Sequence, residues 1–337
     1  MPAITILKKV YTRLFFMYTE EKKVRLHMKP LKKLTLKVLS NFDLNIKKNY
    51  KTYRRVLTAI NTTQKPIYKT WDHKIITSGR EIPVRIFVPG ENQSNKILIF
   101  FHGGGWVTGN IDSYTNVCTN LANETNHTVI SVDYSLAPEH PFPMGAEDCY
   151  YATREIFQNS ELFNCSKDDI TLIGDSAGGN LAAVVSLMAR DRNEFSPKRQ
   201  ILIYPATNYD HSENSPFPSV KDNGTDYILT SQRIQDYMDL YVPNPEDRLS
   251  PYVAPLLSED LSHQPNTLII TSEFDPLRDE GRAYGLKLRK FGNEVTIEMI
   301  RDALHGFFSN PLSTIEIAKA MGIIRRFLGI NETTREE

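Results

Sequence analysis

Cysteine is scarce in this sequence: 337 residues contain three, Cys118, Cys149 and Cys165, at no regular spacing. That excludes a disulfide framework and a cysteine zinc site, and it makes a cytoplasmic, reducing compartment the expectation. No apolar run approaches the roughly 20 residues that cross a bilayer, and there is no internal repeat or low-complexity tract. Histidine is limited to eight residues, none in the His-Glu-x-x-His spacing that holds a catalytic metal, and no dinucleotide fingerprint occurs. No metal and no organic cofactor is therefore expected.

Net charge is also absent, with 40 basic and 40 acidic residues, but the balance conceals an asymmetry. Met1 to Ile60 holds 15 Lys/Arg against 3 Asp/Glu, net +12, so the rest carries −12. A basic front segment reads as a solvated surface beside an acidic body or as a surface for anionic lipid; nucleic acid is not expected, because no reading module accompanies the charge. Ile4, Leu7, Val10, Tyr11, Leu14 and Met17 recur at helical spacing, with Lys8, Lys9 and Arg13 largely elsewhere on the wheel. This is an amphipathic helix suited to packing on the body or to peripheral membrane contact. The same lysines and arginine interrupt the apolar run, which reads against a secretory leader. Seven Asn-x-Ser/Thr sites, from Asn61 to Asn331, matter only in a secreted protein.

A second helix is expected over Asn49 to Ile60, and a hairpin over Trp71–Ile76 and Ile82–Val88 turning at Ser78-Gly79. From Lys96 onward, strands alternate with helices, which implies a mostly parallel, buried sheet. Strands are expected at Lys96–Phe101, Thr128–Asp133, Ile170–Ile173, Gln200–Tyr204, Asn266–Ser272 and Val295–Ile300. Helices are expected at Tyr114–Glu124, Ala146–Gln158, Asn180–Arg190, Gly281–Phe291 and Ser313–Leu328. A long stretch from Asn208 to Pro265, rich in Pro, Asn, Asp and Ser, reads as a lid or inserted subdomain. The last strand falls at a sheet edge, and an edge needs protection or a partner, which leaves a homodimer open.

The chemistry concentrates in three places. Gly174-Asp175-Ser176-Ala177-Gly178 sets a serine on an abrupt strand-to-helix turn, with glycines two residues either side where side chains would obstruct the reversal. A serine hydroxyl needs a base, and that base needs an orienting acid. Asp275 follows a strand and His305 follows the last one, and the order Ser, Asp, His is the one such a serine turn uses. Third, Phe101 is followed by His102-Gly103-Gly104-Gly105-Trp106. Successive glycine N–H groups, with the Ala177 N–H, offer about three donors to an oxyanion. His102 is expected to shape this loop rather than act as a base. Asp175 and Glu273 read as residues that hold the neighbouring loops or as local caps, Asp279 and Glu280 as acidic caps of the following helix, and Asp133 to Pro141 as a rigid structural loop.

These motifs resemble the hormone-sensitive-lipase-like family of α/β-hydrolases, in its microbial carboxylesterase branch. His102 to Trp106 matches the family's glycine motif, Gly174 to Asn180 its nucleophile motif, Asp275 to Gly281 its acid motif, and His305 to Phe307 its base motif. The match runs from about residue 65 to 330. Ser135 departs from it, since most relatives carry arginine there, and the Lys-rich front departs too. The resemblance implies an α/β-hydrolase fold: a mostly parallel eight-stranded sheet with helices on both faces and a helical cap. It implies a cap built from residues 1–60 and an insertion at about 208–245, a catalytic domain over 61–330, and a tail at 331–337. It assigns Ser176, Asp275 and His305 as catalytic and Gly104, Gly105 and Ala177 as oxyanion donors. Trp106, Phe217, Tyr227 and Tyr237 read either as the apolar lining for a small ester or as core packing, and hydrolysis of short- to medium-chain carboxylic esters through an acyl-enzyme is the expected activity. Membrane-surface lipid deacylation, ligand binding without turnover, and amide or peptide hydrolysis are the alternatives.

Overall fold

A strand covered on both faces needs apolar residues at successive positions, and Ile-Leu-Ile-Phe-Phe at 97–101 meets that demand with every residue buried. The computed structural model describes residues 45–61, 70–77, 79–90 and 94–330. The expected amphipathic helix at Ile4–Met17, most of the N-terminal segment and the tail at 331–337 lie outside the described residues. Helix α1 (Ile46–Asn61) precedes the hairpin β1 (Thr70–Thr77) and β2 (Arg80–Phe87). The alternation follows as β3 (Ile97–Phe101), α2 (Thr115–Thr125), β4 (Thr128–Val132), α3 (Met144–Gln158), β5 (Ile170–Asp175), α4 (Ala177–Arg192) and β6 (Arg199–Ile203). Two helices, α5 (Pro218–Asn223) and α6 (Ser231–Tyr241), occupy the long insertion. The chain closes with β7 (Asn266–Phe274), α7 (Arg278–Lys290), β8 (Val295–Leu304) and α8 (Thr314–Phe327).

These strands form one eight-stranded sheet in the order β1-β2-β4-β3-β5-β6-β7-β8. β2 runs against the direction of the other strands and pairs antiparallel with β1 and β4; the pairs from β4 through β8 are parallel. This is the α/β-hydrolase fold. Alternate side chains feed two cores. Ile97, Ile99 and Phe101 join Leu172, Leu202 and the apolar residues of α3 and α4 on one side. Leu98, Phe100, Ile173, Ile201 and Ile203 meet Leu121 of α2 and Met321 and Ile324 of α8 on the other. Helix α4 is apolar nearly all round, buried from Ala177 through Ala189, because it sits against the sheet and also against α3.

Two elements run further than their hydrophobic pattern indicates. Strands β7 and β8 continue past Ser272 and Ile300 to Phe274 and Leu304, with an irregularity between Ser272 and Phe274. Asp302 adopts φ +60° there, and its N–H donates to Glu273 Oε2 at 2.7 Å. The pattern fades because β8 is the last strand of the sheet with only Ile300 and Ala303 buried, yet this extension carries the chain to His305. Helix α1 lies against α6, with Lys47 Nζ 2.6 Å from Asp239 and 3.1 Å from Asp236.

Candidate active site

The turn between β5 and α4 requires glycine for a specific reason. A Cβ on Gly178 would collide with the Phe101 carbonyl oxygen and lie 2.7 Å from His102 O, so the start of α4 passes directly over the end of β3. The chain between is sharply bent, and Ser176 takes φ +56°, ψ −119°. That conformation is strained for a residue with a side chain. Its N–H donates to Ile203 O at 2.9 Å and its carbonyl accepts from Asn180 N at 3.0 Å, so flanking structure holds the strain.

Held this way, Ser176 Oγ lies 2.9 Å from His305 Nε2, and His305 Nδ1 lies 2.8 Å from Asp275 Oδ2. Asp275 is fully buried, and its Oδ1 accepts from Leu277 N at 2.8 Å. Its loop is clamped by α5: Asn223 Nδ2 donates to Asp275 O at 3.2 Å and Ser219 Oγ to Pro276 O at 2.8 Å. With Nδ1–H donating to the carboxylate, Nε2 is left as the acceptor that faces the serine hydroxyl.

Asp175, the residue before the serine, ties three elements together. Its Oδ1 accepts from Gly103 N at 2.8 Å, and its Oδ2 from Tyr114 Oη at 3.0 Å and Tyr204 Oη at 3.2 Å. Tyr204 Oη also accepts from Phe308 N at 3.2 Å, and its ring lies 4.8 Å from that of His305. One carboxylate thus links the glycine loop, α2 and the histidine loop. Burial pushes its pKa up to about 6 against the pull of these donors, led by Tyr114.

The glycine loop turns through positive φ at Gly104 (+121°) and Gly105 (+61°). Gly104 O accepts from Thr108 N at 2.9 Å, while among the described residues no acceptor meets the N–H groups of Gly104, Gly105 or Ala177. All three residues line the same cavity of about 190 Å³ as Ser176 and His305. A Cβ on Gly105 would press into the Tyr237 ring, 2.6 Å from Cδ1. His102 lies behind the loop, fully buried and stacked on Tyr134 with ring centroids 4.3 Å apart. Burial pulls its pKa down, and Nδ1 contacts Gly103 O at 2.9 Å.

This hydrogen-bonded chain at the carboxyl ends of the strands fits what the sequence comparisons return: the profile described as the alpha/beta hydrolase fold matches residues 98–309. The chain belongs to the α/β hydrolase fold family. It is similar to an arylesterase of Saccharolobus solfataricus, 34% identical over 269 residues that make up 80% of this chain and 86% of the relative. An ethyl acetate hydrolase of Pseudomonas putida is 34% identical over 233 residues, covering 68% and 72% of the two chains. Among solved structures, a hyperthermophilic esterase from the archaeon Pyrobaculum calidifontis is 35% identical with a TM-score of 0.81, over 90% of this chain and 98% of that one.

Within this family member, the expected lining residues divide. Trp106 and Tyr237 line the cavity, Trp106 with its ring stacked 4.6 Å from that of Tyr241. Phe217 and Tyr227 do not line it. Phe217 opens onto a separate groove beside His211 and Gln235, because Ser219 fixes α5 to the Asp275 loop through Asp279 Oδ2 (2.9 Å) and Pro276 O. Tyr227 is buried against Phe274, ring centroids 5.5 Å apart. In their place α1 contributes Tyr53 and Leu57, and the insertion contributes Ile228, Leu229, Arg233 and Ile234.

Glu280 is not a helix cap. Fully buried in the first turn of α7, it accepts from Thr207 N at 2.7 Å and Asn208 N at 3.1 Å and pairs with buried His211 at 2.7 Å. It anchors the entrance to the insertion. The loop from 133 to 141 is held without an arginine at 135. Tyr134 Oη donates to His102 O at 2.7 Å, and Arg54 of α1 reaches Val107 O at 2.6 Å, Ala137 O at 2.8 Å and the Glu139 carboxylate at 3.0 Å. Arg54 therefore joins α1 directly to the strand end behind the glycine loop. No group of His, Cys, Asp and Glu among the described residues is arranged to hold a metal ion.

Proposed function

We propose that this protein is a serine carboxylesterase that hydrolyses short- to medium-chain esters through a covalent acyl-enzyme. The observation that carries the reading is the chain Asp275–His305–Ser176, at 2.8 and 2.9 Å, opening into the cavity lined by Gly104, Gly105 and Ala177. His305 Nε2 takes the proton of Ser176 Oγ as the oxygen attacks the ester carbonyl, and Asp275 holds the tautomer and stabilises the imidazolium. The carbonyl oxygen becomes anionic as the tetrahedral centre forms, and the three open N–H groups stabilise it. His305 then protonates the departing alkoxide, the acyl–Oγ bond remains, and a water activated by the same imidazole releases the acid.

Cavity size supports the substrate range. An apolar void of about 150 Å³ holds one benzene ring, so about 190 Å³ suits a short acyl chain with a compact alcohol. Helices α1 and α6 supply its outer wall and act as the cap, with residues 208–245 as the insertion; the sheet and its covering helices form the catalytic domain. Among the described residues no helix is long and apolar enough to cross a membrane. Three buried, unpaired thiols suit a cytoplasmic setting, and the position of β8 at the end of the sheet among the described residues supports a homodimer, which sedimentation tests.

Rates on para-nitrophenyl esters of graded length are expected to peak at short chains and to vanish in Ser176→Ala, which keeps the parent's melting behaviour. A peak at long chains overturns the size argument, and activity unchanged by the substitution overturns the mechanism.

A further inference from the structure

We propose that Arg233 makes this site selective for esters that carry a second, anionic group, a carboxylate being the ligand its guanidinium takes. The inference deepens the ester-hydrolase reading and rests on it. The cap side of the cavity is lined by Leu57, Ile228, Leu229 and Ile234, a wall that an uncharged acyl chain would fill. Two formally charged side chains are also present among the described lining residues, Asp175 and Arg233. Asp175 is sealed beneath Gly103 with both oxygens occupied, so it offers nothing to a ligand.

Arg233 differs. It stands half-buried in the first turn of α6, where Thr230 Oγ1 accepts its backbone N–H at 3.2 Å. Its Nη1 donates to Ile228 O, and no described carboxylate forms an ion pair with it. The acids of its own helix are engaged elsewhere: Asp236 and Asp239 meet Lys47, and Asp239 also meets Arg248 at 2.9 Å. Its field reaches the pocket wall. Burial raises the Tyr237 phenol, and the positive charge of Arg233 opposes that rise through space.

A guanidinium carries five donors in a planar fork, and one directed to a carbonyl leaves room for bidentate capture of a carboxylate. Such a group beside an otherwise apolar wall, with no carboxylate of its own, is a ready partner for an anionic substrate tail. A half-ester of a dicarboxylic acid, or an aryl ester whose leaving group bears a carboxylate, provides the tail while its carbonyl lies at Ser176. Water adds across the ester bond, and the product is a dicarboxylate with an alcohol, or a monocarboxylate with a carboxylated phenol.

The test compares kcat/KM for para-nitrophenyl hydrogen glutarate against para-nitrophenyl hexanoate, and for para-acetoxybenzoate against para-acetoxybenzamide. Each anionic-to-neutral ratio is measured in the parent and in Arg233→Met, Arg233→Glu and Arg233→Lys, with active sites counted by an organophosphate titrant. The ratio for at least one pair is expected to fall about tenfold in Arg233→Met, further in Arg233→Glu, and to recover in part in Arg233→Lys. Competitive inhibition of the parent by glutarate, weakened by added salt, reads the same site should a variant fail to fold. Ratios equal in parent, Met and Glu variants, or a parent that glutarate does not inhibit, overturn the inference while neutral-ester turnover leaves the ester reading standing. A parent inert toward every ester that still binds glutarate through Arg233 overturns the ester reading and supports the anion site.

Discussion

Replacing Asp175 by asparagine tests whether one buried carboxylate carries the pH dependence its surroundings imply. Its folded pKa is raised to about 6 from 3.8, chiefly by burial. An acid with a raised folded pKa binds more protons folded than unfolded between those values, so stability is greatest below the unfolded pKa and falls as pH rises through the folded one. The shift of roughly two units corresponds to about 3 kcal/mol in total, of which about 2 kcal/mol is lost between about pH 4.5 and 7.5. Asparagine keeps the shape without the proton equilibrium. Its amide oxygen must face the Gly103 N–H, which cannot rotate, and its NH2 then meets the two tyrosine hydroxyls, which can. Urea unfolding of parent and Asp175→Asn at the two pH values gives the difference directly, and common contributions, including those of lowered acids such as Asp279, cancel. The parent is expected to lose about 2 kcal/mol more than the variant on going to the higher pH. Parallel changes in the two proteins would refute the assignment of this burial cost to Asp175.

Gly105→Ala forces a side chain at φ +61° into the Tyr237 ring, displacing an N–H of the proposed oxyanion hole; kcat is expected to fall about a hundredfold with stability lowered by about 1–3 kcal/mol through strain and overpacking, and a folded variant with activity within about twofold of the parent would remove Gly105 from the donor set. Glu280→Ala strands the Thr207 and Asn208 N–H groups and buried His211. A stability loss of about 3–5 kcal/mol by denaturant unfolding is expected, with a smaller loss for Glu280→Gln, and a loss under about 1 kcal/mol in both would show the pair to be dispensable.

The elbow and the glycine loop were legible because their demands are local. Gly178 is required by the passage of α4 over the end of β3, and such a requirement leaves a glycine at a fixed offset from the serine. Asp275 and His305 were legible from order and from strand ends, although β8 continues past its apolar pattern before it delivers the histidine. Glu280 was misread because an acid near a helix start is an ordinary cap, and only the tertiary fold brings Thr207, Asn208 and His211 around it. Phe217 and Tyr227 stay open between pocket lining and core packing for a related reason. An aromatic in an insertion announces that it will be buried, but not against what; the Ser219 clamp and the Phe274 ring decide that.

The same distinction explains why the cap is the least readable part of the site. The residues of the proposed chemistry announce themselves at strand ends and tight turns, even though distant contacts such as the α5 clamp on the Asp275 loop hold them in place, whereas the lining is set by how α1 and α6 seat on the sheet. Arg54 shows the dependence: nothing near it in sequence marks it, yet it holds Val107 and Ala137 from a distant helix. Substrate choice is consequently written in long-range contacts, and a chain can keep the reaction while changing the ester by altering α1 and α6 alone. Arg233, in the first turn of α6 and lining the same cavity as Ser176, is the residue at which that separation is most directly exposed to experiment.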